Sequence, residues 1–428
     1  MPLHSKKILW PSLILFAAYL LLGGVFSPAQ ANDDPRQPPT EAHPALSPAI
    51  NLPATNLRFE RITPAHGLSF PTVRDVIQDH NGFMWFATAN GLNKYNGYAF
   101  TVYKNKPRES TTLSSNDIKV IFEDSEGHLW VGGKDGLDKF DPQTETFVHI
   151  NDSDQVFCIV EDSRGTVWVG FENGLYGYDP THNLRVYGYP SQVDEGTPSD
   201  SISPGDVQAI FEDSQGYLWI GTSAGLDRLD RNTGTFIHYT HDPEDNFSLI
   251  SNNITAIYED TQGDLWIGTQ SNGVDRLNLA SQTFKHFRFD ADNLSGISSD
   301  SVLSILEDQS GNLWVGTVNG LNQYDRENNR FYHYRHDPKN ADSLSDNIVN
   351  ALFEDSSGVL WIATANGLSK YIPQANQFIY LRTGFEHLSG SLAAYTDIAD
   401  IVLSESKVLS VFEDQDGMIW FGTLLDGL

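Results

Sequence analysis

Seven Glu-Asp pairs recur along this chain: Glu123-Asp124, Glu161-Asp162, Glu212-Asp213, Glu259-Asp260, Glu307-Asp308, Glu354-Asp355 and Glu413-Asp414. Paired carboxylates are the residue type of acid/base work, and glycosidic bonds are cleaved between two of them. These pairs, however, return in almost every copy of a repeat, and a catalytic pair has no reason to. The recurrence favours turn formation: in Glu-Asp-x-x-Gly the Asp accepts a bond from an amide two residues on. The Gly (Gly127, Gly165, Gly216, Gly263, Gly311, Gly358, Gly417 and, in the first repeat, Gly82) supplies the positive φ that closes the hairpin. His149, His238, His286 and His333 recur in the same way. Equivalent positions on separate blades point away from one another, so these histidines do not converge on a metal. Asp414-Gln-Asp-Gly417 lacks the third acidic ligand and the distal Glu of a calcium loop. Cys158 is the only cysteine, which excludes an intrachain disulfide and a thiolate zinc site; in the run Val156–Val160 it reads as a small buried hydrophobe. No Gly-x-Ser-x-Gly, phosphate loop or dinucleotide fingerprint is present. Neither catalysis nor a cofactor nor a metal is read from these residues.

The elements that carry them are legible. Trp85, Trp130, Trp168, Trp219, Trp266, Trp314, Trp361 and Trp420 mark a beat of 38 to 59 residues, the period of a propeller or solenoid array. In the fourth repeat Asp206–Phe211, Tyr217–Thr222, Leu226–Asp230 and Thr235–Tyr239 read as short strands, separated by the turns Glu212–Gly216, Ser223–Gly225 and Asn232–Gly234. Four strands per repeat describe one blade of an all-β propeller with four-stranded antiparallel blades. The Trp is the apolar wedge between neighbouring blades. Gly221 and its equivalents permit close backbone approach; Ala87 and Ala363 replace it in two repeats, so smallness matters more than φ freedom.

Seven complete repeats and a partial eighth are counted, with residues 57–384 as a seven-bladed propeller. Residues 385–428 are either the start of a second, truncated propeller or a closing partial blade. The segment Leu57–Thr63 resembles a fourth strand lying outside its own repeat and is expected to close the ring on the last blade. Residues 187–205 and 382–407 break the beat. Ahead of the array, residues 1–31 read as an export signal: Lys6-Lys7, an apolar core from Ser12 to Leu22, and Ala29-Gln-Ala31 with cleavage after Ala31. The apolar run Ile8–Phe26 approaches spanning length, so an uncleaved membrane anchor is the alternative. Residues 32–56, rich in Pro, Ala, Asn and Asp, are a flexible linker. The formal net charge of −29, with no basic run beyond Lys6-Lys7, opposes nucleic-acid binding.

At Glu-Asp-x-x-Gly-x-Leu-Trp-Ile-Gly-Thr-x-x-Gly-Leu the chain resembles the two-component regulator propeller repeat family. Phe122–Leu137, Phe211–Leu226, Leu306–Leu321 and Phe353–Leu368 are the best copies, and Ile77–Leu92, with Gln78 for Glu, departs furthest. The resemblance covers about residues 57–428. It implies a periplasmic sensor region of a membrane-bound signalling protein, usually two seven-bladed propellers followed by a β-sandwich, a membrane helix and a histidine kinase or diguanylate cyclase output. Some members respond to polysaccharide fragments. The expectation is a non-catalytic, ligand-binding, exported module, a fragment of a receptor that dimerises. Its ligand would be a small molecule or glycan fragment held by loops that fail to repeat. Tyr187, Tyr189 and Asp194 are the candidates to serve a sugar. The alternatives are a free periplasmic scaffold for protein partners and a propeller-type polysaccharide lyase; the lyase needs a non-repeated cluster of His, Arg or Tyr at one channel mouth, and none is evident in the sequence.

Overall fold

A computed structural model describes residues 57–151, 154–180, 184–188, 201–293, 295–372, and the strands 408–413 and 419–423. Blade 4 illustrates the unit. Its strands Val207–Glu212, Leu218–Thr222, Leu226–Asp230 and Thr235–Tyr239 pair antiparallel in chain order, each within a residue of the sequence expectation. The second strand, Leu-Trp-Ile-Gly-Thr, is buried along its whole length because it has a strand on each edge and a blade on each face. That accounts for its unbroken apolar run.

The turn before this strand does more than reverse the chain. Oδ1 of Asp213 accepts the Gln215 amide at 3.0 Å and the Tyr217 amide at 2.9 Å, while Oδ2 accepts the Trp219 indole Nε1 at 2.8 Å. The Asp-to-Trp bond recurs in all seven blades at 2.7 to 2.8 Å. Each indole is thereby satisfied as it enters the seam, where Trp219 packs with Leu249, Ile254, Leu265 and Ile267 of the next repeat. Gly216 takes the expected positive φ of 84°. The close backbone approach expected beside Gly221 and its equivalents is found at Gly170 and Gly316, where a Cβ would stand 2.6 and 3.0 Å from the Val207 and Val349 carbonyls. Gly221 itself has a different reason. A Cβ there would stand 2.6 Å from Ile254 Cγ2, so a side chain of blade 5, not a backbone, occupies the space.

The Glu of each pair serves the neighbouring blade. Glu123, Glu161, Glu212, Glu259, Glu307 and Glu354 accept the amides of His80, Ser125, Ser163, Ser214, Thr261 and Gln309 in the preceding blade, and Gln78 accepts that of Ser356, at 2.5 to 2.9 Å. These seven clasps run once around the ring. The departing Gln78 of repeat one therefore keeps the acceptor that the position requires.

The ring closes on seven blades. Glu60–Ile62 pairs antiparallel with Gly367–Tyr371 as the fourth strand of the seventh repeat's sheet. It does not complete the eighth repeat, as a last-blade closure implied. Phe59 packs on Tyr334 and Tyr371, and Arg61 donates to the Asn340 and Ser343 carbonyls, so packing and hydrogen bonds both seat this strand. The hairpin Val408–Glu413 and Ile419–Thr423 repeats the register and bulge of a blade's first two strands. The ends of both expected units, 373–384 and 385–407, lie outside the described residues, as do the proposed signal, its cleavage point at Ala31, and the linker to residue 56.

Candidate ligand site at the axial mouth

The first strand of each blade carries a bulge at its second residue, in register Val207↔Thr222 then Ala209↔Gly221 for blade 4. A bulge leaves one residue unpaired and re-aims its side chain. The seven residues so placed are Arg74, Lys119, Phe157, Gln208, Thr255, Leu303 and Asn350. First strands of successive blades abut one another around the axis, and the bulged side chains reach from one to the next. Arg74 ion-pairs with Asp117; Lys119 Nζ stands 4.8 Å from the Phe157 ring centre; Thr255 Oγ1 donates to the Val302 carbonyl and Asn350 Nδ2 to the Val73 carbonyl, both at 2.7 Å.

The same end of each inner strand meets its blade's second turn. Lys134, Glu172, Ser223, Gln270, Val318 and Ala365 donate their amides to the carbonyls of Asp117, Gln155, Asp206, Asn253, Ser301 and Ile348. The backbone of this mouth repeats and its side chains do not. Blades 1 to 4 present Arg74, Asp117, Lys119, Lys134, Glu172 and Asp206. Blades 6 and 7 present Leu303, Val318 and Ile348, the last two 39% and 38% exposed. Charge is thus gathered on one arc and aliphatic surface on the other. Burial, then the Arg74 charge, holds the Lys119 ammonium below the usual lysine range; Asp117, Asp206 and Glu172 pull the other way.

Of the candidates singled out in the sequence, Tyr187 falls elsewhere. Tyr187 ends the outer strand Leu184–Tyr187, where its ring meets Trp168 at 6.0 Å and Phe236 at 5.3 Å. Tyr103, Tyr239, Phe287 and Tyr334 pair at the same register in their blades, so this is a repeated packing position. Tyr189 and Asp194 lie outside the described residues. His149, His238 and His286 bond Asp138, Asp227 and Asp275 through Nδ1 at 2.6 to 2.7 Å, one pair to a blade. Those carboxylates also accept the amides of Ser114, Ser203 and Ile250, tying the incoming loop to its blade. Ser203, His238 and Asp227 are the residue types of a nucleophilic triad, but the serine hydroxyl and the histidine Nδ1 both bond the carboxylate. The same Nδ1 stands 3.3 Å from the serine hydroxyl but is engaged by Asp227 at 2.7 Å, so it is not free to act as a base, and all three residues are buried. Among the described residues no three His, Cys, Asp or Glu side chains gather to hold a metal. An open hollow of about 440 Å³ on the opposite face, at Ser163, Glu212, Ser214 and Glu259, has its polar groups engaged by the clasps.

The mouth was missed because a bulge has no sequence signature. Its residues sit at unremarkable strand positions, and the only available signal is that they vary while their neighbours repeat.

Fold and mouth define a seven-bladed propeller, a regular wall around one irregular opening. The model of the two component regulator propeller matches at 67–90, 112–135, 151–173, 201–224, 248–271, 296–319, 343–366 and 402–424. The chain belongs to this family. Over 68 residues, 15% of the chain, it is 44% identical to histidine kinase P4 of Formosa agariphila and covers 5% of that protein. Its fold is similar to the extracellular domain of a putative hybrid two component system of B. thetaiotaomicron, with TM-score 0.63 and 24% identity over 87% of this chain and 53% of that one. A second such domain, of a putative one component system of the same organism, gives 0.61 and 22% over 85% and 44%. The chain thus spans about half the length of these solved domains. Virginiamycin B lyase of Staphylococcus aureus shares the fold at TM-score 0.53 and 14% identity, over 74% of this chain and 99% of that one. Among the described residues no helix is long and apolar enough to cross a membrane.

Proposed function

We propose that this chain is the ligand-sensing propeller of a two-component-type receptor, working outside the cytoplasm and binding its ligand at the axial mouth without catalysis. The observation that carries this reading is the breakdown of the repeat at one place. Turn, indole, clasp and loop anchor recur blade after blade, whereas Arg74, Lys119, Phe157, Gln208, Thr255, Leu303 and Asn350 share only their position. The family's repeat, the match to a histidine kinase and the leader-like residues 1–31 support the receptor and its export. A glycan fragment is the ligand class that the family resemblance implies. Arg74 is the one residue of the type a lyase would need at the mouth, and its guanidinium is already paired with Asp117. No histidine or tyrosine stands with it among the described residues.

A thermal-shift panel of glycan fragments and small metabolites tests the reading. A stabilising compound is expected whose effect is lost in Ile348→Arg, at the mouth, and kept in Ser163→Arg, on the opposite face. Equal loss in both variants, or capture of a protein partner with no compound shifting the melting temperature, would instead support the scaffold alternative.

A further inference from the structure

Among the described residues, Lys119 and Asp206 are opposite charges of the mouth without partners at contact distance. Lys119 is half-buried, and among the described residues its Nζ makes no hydrogen bond and no ion pair within 4.0 Å; its close contact is the Phe157 ring. Desolvating an ammonium without a carboxylate is costly, so the group is poised for an anion that the protein does not supply. Asp206, two blades on, fixes its backbone at Ser223, and its part-buried carboxylate has no cation within 4.0 Å among the described residues. The two feel one another's charge without touching. On the opposite arc Val318 and Ile348 expose aliphatic surface beside Leu303. Blade 2's Lys134 and blade 3's Glu172 add one charge of each sign to the arc, and Asp117 is neutralised by Arg74.

From this arrangement we infer that the mouth takes a small zwitterion with an aliphatic body, an α-amino acid with both ends free. Its carboxylate meets the Lys119 ammonium, its ammonium meets Asp206, and its side chain lies on Val318 and Ile348. A neutral ligand would leave the charges of Lys119 and Asp206 unmatched, a simple anion would leave Asp206 unmatched, and a simple cation would leave Lys119 unmatched. The inference rests on the axial mouth being the ligand site of the sensor proposed above, and names the class of molecule it takes.

Isothermal titration of the full chain with leucine, isoleucine and valine, each beside its amide and its N-acetyl derivative, tests it. Cellobiose and maltose serve as neutral comparators. At least one free amino acid is expected to bind, with both blocked forms weaker by about tenfold or more. Lys119→Met is expected to reduce the affinity of the free form and of its amide unequally. The free form, which offers a carboxylate, loses about tenfold or more, and the amide loses little; Asp206→Asn shows the mirror pattern with the N-acetyl form. Unchanged melting temperatures of the unliganded variants separate these losses from misfolding. No binding of any free amino acid, equal binding of the blocked forms, or wild-type binding by Lys119→Met overturns the inference. If the disaccharides bind and Ile348→Arg abolishes that binding, the inference falls while the sensor reading stands.

Discussion

Asp213 shows how much one residue of the repeat carries. Its two carboxylate oxygens close a turn and hold the indole of a buried tryptophan. Asp213→Ala leaves the Trp219 Nε1 and the Tyr217 amide without acceptors, and each orphaned buried donor costs about 1–3 kcal/mol. Urea unfolding of this variant is expected to show a loss of that order per donor. A change below about 0.5 kcal/mol would mean that water replaces the carboxylate. Asp75 is the residue-scale exception. It occupies the seam between blades 1 and 2 where other blades place Val120, Cys158, Ala209, Ala256, Ser304 and Ala351. Burial pushes its carboxyl from 3.8 up to about 7, although the amides of Ile121 and Val76 favour its ionised form. The folded chain therefore keeps a proton between pH 3.8 and about 7 that the unfolded chain releases. Stability from this group is full below the lower value and is lost as pH rises through the upper one. Asp75→Ala, the residue of blades 4, 5 and 7, is expected to raise the melting temperature at pH 8 more than at pH 4. An equal change at both pH values would show that the carboxyl does not titrate in this range.

At the scale of the element, the blades are joined by their clasps, and two of these are reinforced by arginine. Arg231 bridges Asp162 of blade 3 and Glu212 of blade 4, and Arg326 bridges Asp260 and Glu307 in blades 5 and 6. The Arg231 Nη1 lies 2.7 Å from Asp162, an ion pair at contact distance. Burial works against the Asp162 and Asp260 carboxylates, and the indole, amide and arginine bonds hold them below the usual range nonetheless. Arg231→Met strands the buried Asp162 carboxylate and the part-buried Glu212, and breaking a buried pair from one side costs about 3–5 kcal/mol. Chemical denaturation should register that loss at neutral pH, with partial recovery in acid as the Asp162 carboxylate, held below its usual range in the native chain, takes up a proton. A loss independent of pH would assign the effect to packing of the arginine stem. The strand pattern, turn and indole of each blade were legible in the sequence because they depend on neighbours within about ten residues. The clasp was not, since Glu212 and Ser163 meet only when two blades stand side by side.

The whole molecule depends on a latch between residues distant in the chain. Glu60–Ile62 supplies the fourth strand of blade 7, and Arg61 and Phe59 hold it to the loop and rings of that blade. Without it Gly367–Tyr371 would be an open edge, which sheets avoid. Deleting residues 57–63 is expected to remove hydrogen-exchange protection from Gly367–Tyr371 and to broaden unfolding, since an open array unzips from its ends. Retained protection of that strand would show that another segment takes the place of Glu60–Ile62. The sequence by itself determined the family, the four-stranded blade, the turn chemistry and the wedge, because each is written in a local pattern repeated eight times. Tertiary structure decided that the ring closes at seven, that the Glu of each pair belongs to its neighbour, and that bulged residues from seven blades meet at one mouth. Closure and convergence join positions hundreds of residues apart, and no spacing along a chain encodes which of them will share an axis.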